Sequence, residues 1–303
     1  MKKTLLFILV IVLGFVIWKN DEISQFIVQK IIFKDQPVIT EPNEYYKKDD
    51  FILLQNTDSF MPKSKEEFNN IIYTILNKGW NSFSFFCDIE YKSCVDDFND
   101  YIQNSDYVEV INNYVHPFNS FNNISITTNS FNKITIDVED LYNDEQIKTI
   151  NSIINDFINN NITDNMNEKD KIKTFHDWII NNAKYDSIFS ANTNKETYPT
   201  HPYNAYGVLV EGKGICGGYS DAMAIFLNAI GIKNYKIFSN EHIWNYAFVN
   251  NNWYHLDLTW DDPVTSDNSD LLIYDFFLIS TKELENKETK QHEFDKSYYL
   301  EVK

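Results

Sequence analysis

Arginine is absent from this chain. All 26 basic residues of the 303 are lysines, set against 44 acidic ones, and the net charge is −18. Without a guanidinium group, no mechanism can rest on a bidentate fork gripping carboxylate or phosphate. The shortage of positive charge excludes nucleic acid as a partner, because phosphate binding needs a basic face. It likewise excludes adhesion to anionic lipid through charge. Cysteine is scarce, with three in all: Cys87, Cys94 and Cys216. No CxxC or HExxH pair occurs, so the close ligand pairs that mark a zinc site are missing. No metal and no cofactor are expected. The acidic loop "DDPVTSDNSD" lacks the spacing of a calcium-binding EF-hand loop and reads as solvated.

What is present is ample for a folded body. Hydrophobic residues make up 43% of the chain and aromatics 16%, which separates it from disordered compositions. The length suits one large domain or two ordinary ones. One uncharged apolar run, "TLLFILVIVLGFVIW" (Thr4 to Trp18), follows two lysines. It reads as a signal segment or a short membrane anchor. No small-x-small cleavage pattern follows Gly14, so an uncleaved anchor is the expectation. The preceding lysines keep the N-terminus in the cytoplasm, and the body is then membrane-anchored and extracytoplasmic, or secreted. In an oxidising compartment an odd cysteine count leaves one thiol over. Cys87 and Cys94 are near enough in sequence to close a small loop, but the reading here is three reduced thiols.

Four segments follow from the pattern: a membrane segment over 1–20, a tether over 21–44, a small α+β domain over 45–163, and a second domain over 164–303. In the first domain, Ser64 with Glu67 reads as a capping box opening a helix to Trp80. "NSFSFFC" alternates as a strand, and 95–108 reads as a second helix. Residues 124–138 form a hairpin, and "DEQIKTINSIINDFINNNI" a long helix. In the second domain, a helix over 167–186 gathers Ile172, Phe175, Ile179 and Ile180 on one face, with His176 beside it as a packing or solvated residue. A helix follows Cys216 and ends at Gly231. Strands then run over "NYKIFS", "HIWNYAFV", "WYHLDLTW" and "YDFFLIS".

The chemistry concentrates around "KGICGGYSDAM". Cys216 sits between glycines at the start of a helix. A helix N-terminus carries partial positive charge and free N–H groups, which favour a thiolate and can hold an oxyanion. A bland alternative is a small residue in a tight turn. A nucleophilic thiol needs a base and the base an orienting acceptor. The stretch "HIWNYAFVNNNWYHLDLTW" reads as a hairpin about Asn250 to Asn252. With a two-residue loop at 250–251, Val249 pairs with Asn252. His242 then falls opposite Thr259, with Asp257 a diagonal neighbour on the same face. A plain three-residue loop would put His242 and Asp257 on opposite faces. His255 shares the face of Asp257, and spacing does not exclude it as the base.

These blocks, "YNAYGVLVEGKGICGGYSDAMAIFLNAIGI" and "HIWNYAFVNNNWYHLDLTWDDP", resemble the core of the transglutaminase-like superfamily of papain-like cysteine enzymes. The resemblance spans roughly 165–295. It implies an α+β fold with a nucleophile helix packed on an antiparallel sheet. It implies Cys216 as nucleophile, His242 as base in preference to His255, and Asp257 as orienter. It also implies that Tyr206 and Trp244 line the substrate cleft, although each reads first as core packing. Gly217 departs from the pattern, since glutamine often follows the cysteine in bacterial members. The implied activity is cysteine-dependent amide hydrolysis of a peptide, protein or cell-wall peptide substrate. Acyl transfer from glutamine to an amine, or a non-catalytic envelope-binding module, are the alternatives.

Overall fold

The computed structural model describes residues 40–302 except 104, 130–131, 192–199, 265–270 and 288, with a few isolated positions before residue 40. The apolar run over 4–18 therefore lies outside the described residues, Gly14 apart. Among the described residues, no helix is long and apolar enough to cross a membrane.

The first helix, α1 (Glu67–Asn77), buries Phe68, Ile71, Ile72, Ile75 and Leu76. The capping box expected from Ser64 does not form. The helix starts at Glu67 instead, after an N-cap at Glu66 that makes no side-chain cap, and the Glu67 carboxylate accepts from Lys63 N–H at 3.1 Å. Strand β1 (Ser82–Phe86) follows. The stretch read as a helix over 95–108 is helical in its described residues, as α2 (Cys94–Gln103) and α3 (Ser105–Tyr114) on either side of residue 104. The hairpin strands β2 (Phe121–Thr128) and β3 (Lys133–Asp140) complete an antiparallel sheet in the order β1-β3-β2. Cys87 and Cys94 are joined by a disulfide, with Cα atoms 5.9 Å apart, which corrects the expectation of three reduced thiols. Both are buried, and α2 begins at the second of them.

Helix α4 (Asp144–Asn161) opens on a capping box between Asn143 and Gln146. Its buried face, Ile150, Ile154 and Phe157, packs against α5 (Glu168–Asn182) and against α7 (Cys216–Ala229). Phe175 of α5 stacks on Phe226 of α7 at 4.1 Å, with Phe157 edge-on to both. The expected apolar face of α5 is buried throughout. Between these helices lie two-residue strands β4 (Lys184–Tyr185) and β5 (Lys213–Gly214), paired in parallel, and the short helix α6 (Ser187–Ala191). Helix α7 ends at Gly231, which takes φ +74° as the residue after the cap.

Antiparallel strands β6 (Asn234–Phe238), β7 (Ile243–Val249) and β8 (Asn252–Leu256) pack on α7. Strand β8 stops at Leu256, short of the expected Trp260. Asp257 caps a short helix α8 (Leu258–Asp261), its Oδ1 accepting from Thr259 N–H at 2.9 Å and Trp260 N–H at 3.1 Å. A capped turn satisfies the backbone there better than continued pairing, because an Asx side chain offers its own acceptor. The stretch read as a strand over 274–280 forms a single bridge, His255 to Ile279, with Leu278 at φ +51° breaking the run. Helix α9 (Thr281–Glu285) and two 3₁₀ turns close the chain. One apolar cluster joins α1, α3 and β1 to Tyr235, Trp244 and Tyr246 of the second sheet; another joins Tyr142 and α4 to α5 and α7.

Candidate active site

Cys216 is the first residue of α7, and the backbone carbonyls of residues 202–204 press against the two glycines after it. A Cβ on Gly217 would lie 2.7 Å from Tyr203 O; one on Gly218 would lie 2.6 Å from Pro202 O. Both positions therefore admit only glycine without moving backbone. This accounts for Gly217, where the resemblance favours glutamine. The packing holds Cys216 half-exposed as the free thiol of the chain.

Across from it, the hairpin brings up the base. Val249 pairs with Asn252, and Asn250 and Asn251 take φ +50° and +65°, the two-residue turn that the parity argument requires. His242 lies just before β7 and Asp257 just after β8. His242 Nε2 meets Asp257 Oδ2 at 2.6 Å. Cys216 lies close enough to the imidazole to help hold its proton, and the two residues line the same cleft. Burial by itself would depress the His242 pKa. The charge and hydrogen bond of Asp257, aided by Cys216, more than reverse this and bring it up to about 10. Burial would raise the Asp257 carboxyl, but His242 and His292 hold it well below the usual carboxylate range. The arrangement is thus a charged imidazolium–carboxylate pair with a thiol nearby. All three groups can serve a thiolate-dependent acyl transfer.

Cys216 and His242 open into a cleft of about 450 Å³, whose walls include Tyr185, Glu241, Trp260, Asp262 and Gln291. Neither Tyr206 nor Trp244 is among the described residues that line it, which corrects the cleft positions expected for both. Trp244 is 1% exposed. It lies flat beneath His242, with ring centroids 5.7 Å apart, and His292 and Phe294 cover its other edges. Tyr206 is half-buried against the α5–α7 cluster and meets His201 edge-on.

His255 is fully committed elsewhere. Its Nδ1 accepts from Trp244 Nε1–H at 3.0 Å, its Nε2 faces Thr281 Oγ1 at 3.3 Å, and burial pushes its pKa down to about 3. His176 is likewise structural: its Nε2 lies 3.1 Å from the buried Asp261 and its Nδ1 3.0 Å from Asp177.

His292 has no counterpart in the sequence reading. Its Nε2 lies 2.8 Å from the same Oδ2 of Asp257, and its Nδ1 lies 2.7 Å from Thr289 Oγ1. It comes 35 residues after Asp257, in a charged stretch without motif or periodicity, so no local signal points to it. His242, Asp257 and His292 offer three metal-type ligand atoms within 4.8 Å of one another. Separations of 2.6 and 2.8 Å are nevertheless those of hydrogen bonds. Two ligands of one tetrahedral ion would stand roughly 3.3 Å apart. A second cavity, about 320 Å³, is lined by Tyr45, Lys47 and His116. There the Lys47 ammonium donates to the carbonyls of Tyr114 and Asn234 at 2.9 and 2.6 Å, as a structural tie.

Residues 156–258, about a third of the chain, match the family model of the transglutaminase-like superfamily, and Cys216, His242 and Asp257 lie inside the matched stretch. Two solved structures are similar to the chain. One is a TGase, 17% identical, covering 46% of this chain and 44% of its own, with a TM-score of 0.34. The other is a candidate cysteine protease from Cytophaga hutchinsonii, 13% identical, covering 45% and 61%, with a TM-score of 0.28. The chain thus spans less than two thirds of either neighbour, and neither overlay is close enough to bear on mechanism. No curated protein matches the chain.

Proposed function

We propose that the chain is a cysteine-dependent amide hydrolase that acts outside the membrane on a peptide or cell-envelope substrate. The observation that carries this reading is the 2.6 Å pairing of His242 with Asp257, with Cys216 close to the imidazole and both residues lining one open cleft. The family-model match over residues 156–258 agrees with it. So does the Cys87–Cys94 disulfide, which suits an oxidising compartment and leaves Cys216 free.

In the proposed reaction the Cys216 thiolate adds to an amide carbonyl. The oxyanion forms beside the first turn of α7, where backbone N–H groups lack intrahelical acceptors. The carbon–nitrogen bond then breaks, and the leaving amine takes its proton from the His242 imidazolium. The thioester that remains is attacked by water, which gives its proton to the now neutral His242. The carbon–sulfur bond breaks, releasing the carboxylic acid and restoring the thiolate. Asp257 keeps the imidazole oriented through both halves.

The test is the rate of alkylation of the folded protein by iodoacetamide at neutral pH. Cys216 is expected to react at least about tenfold faster than a model thiol, because the His242 imidazolium and the first turn of α7 lie beside it. A rate no greater than the model thiol's sinks the reading. Peptide and cell-wall substrates assayed with and without an added primary amine then distinguish water from amine as the acceptor.

A further inference from the structure

Asp257 is held from four directions. Its Oδ1 accepts from Thr259 N–H and Trp260 N–H, and its Oδ2 faces the Nε2 atoms of both His242 and His292. A carboxylate offers about four lone-pair sites, and here all four are used. The fourth donor comes from the C-terminal segment, well beyond the 156–258 stretch that matches the family model. We propose that His292 is a positioning residue that pins and tempers Asp257, so that the C-terminal segment completes the Cys216–His242–Asp257 geometry. This rests on the reading of Cys216 as the reactive thiol.

The packing around His292 is specific to a histidine. The ring is 6% exposed, stacked on Phe276 at 4.9 Å and 12°, with Trp244 and Trp260 edge-on. An aromatic hydrocarbon would satisfy such a cage by packing. The imidazole adds a donor aimed at Asp257 and an acceptor within reach of the Thr289 hydroxyl. If Thr289 Oγ1–H donates to Nδ1, the ring proton stays on Nε2, where it serves the carboxylate. Two donors on one oxygen share its negative charge. Each therefore draws less of it, and His292 weakens the grip of Asp257 on the His242 proton while removing a degree of freedom from the carboxylate.

The charged and titratable groups around this pair come from several elements. They are Asp257 and His242 themselves, Cys216 at the start of α7, and His255 on β8. Lys296, Glu285 and Glu293 stand at the cavity on the outer side of His292. Of these, Asp257 alone is hydrogen-bonded to the His292 ring, and His242 meets it edge-on with ring centroids 5.2 Å apart.

The experiment measures iodoacetamide alkylation of Cys216 against pH in the full chain, for wild type, His292→Phe and His292→Gln. Phenylalanine keeps the ring and loses the donor, whereas the glutamine amide restores a donor at the reach of Nε2. The wild-type profile is expected to show an alkaline inflection where the His242 imidazolium loses its proton. That inflection is expected to move up by about half a unit to one unit in H292F, because an unshared carboxylate holds the proton more tightly. It is expected to return towards the wild-type position in H292Q. Coincident profiles for wild type and H292F overturn the proposal, and so does an H292Q profile that matches H292F. If H292F is unfolded at the assay temperature, Thr289→Val serves instead. It frees the Nδ1 side of the ring and is expected to move the inflection in the same direction by less; no movement overturns the proposal. A wild-type thiol no faster than a model thiol sinks the cysteine-enzyme reading, whereas a fast thiol indifferent to H292F sinks this inference only.

Discussion

His242 owes its charge to one neighbour, and that dependence can be measured. Its pKa of about 10 in the folded protein stands well above the ordinary 6.5, so the proton favours the folded state. The resulting stability is fully present below about pH 6.5 and is lost as pH rises through 10. Urea unfolding between those limits is expected to show a falling free energy that flattens in Asp257→Asn, where the charge is gone. A slope unchanged by D257N would mean that the pair does not hold the proton. Asp257→Ala should also lower the turnover of any amide substrate by about 10²-fold or more, since an unoriented base loses most of its contribution. Gly217 makes a different kind of claim. A side chain there meets Tyr203 O at 2.7 Å, so Gly217→Ala is expected to cost about 1–3 kcal/mol by thermal melting, and Gly217→Gln no less. An unchanged melting temperature would show that the 202–204 stretch gives way freely.

Elements place these residues through two devices. Helix α7 projects Cys216 from its first turn, and the two-residue Asn250–Asn251 turn sets the register that puts His242 and Asp257 on one side of the hairpin. The middle of α7 is tied to the first half of the chain by buried polar bonds. Tyr142 Oη–H donates to Asp221 Oδ2 at 2.6 Å while accepting from Ala205 N–H, and Lys236 of β6 pairs with Oδ1 of the same carboxylate. Removing one partner from such a network strands the others in the interior. Tyr142→Phe is expected to destabilise by about 1–3 kcal/mol in denaturant unfolding, and Lys236→Met by more, because it leaves a buried charge. A neutral result for both would mean that water reaches the network.

At the scale of the molecule, two apolar clusters each draw residues from both halves of the chain, so the small sheet buttresses the site-bearing one. The disulfide fastens the near end of α2 within the first cluster. Thiol titration of the native, unreduced protein is expected to find one reactive group, and denaturation with reduction three. Closing so short a loop is worth about 2–3 kcal/mol on the chain-entropy account, and reduction should lower the melting temperature accordingly. Three thiols in the native protein would refute the bridge.

The amino-acid sequence by itself determined the local features of the site. Cys216 among glycines, the Asn turn and the hydrophobic periodicity of α5 and α7 are signals between near neighbours, where backbone sterics and side-chain spacing decide. The early end of β8 and the disulfide were decided by contacts that local preference does not contain. The same holds for Trp244, which shares a strand face with His242 yet is sealed beneath it by His292 and Phe294. It holds most of all for His292 on Asp257. Nothing within ten residues of His292 announces its partner, because the bond depends on how the chain returns after α9 to close over the hairpin. That return is a property of the packed molecule, set by which apolar surfaces it covers.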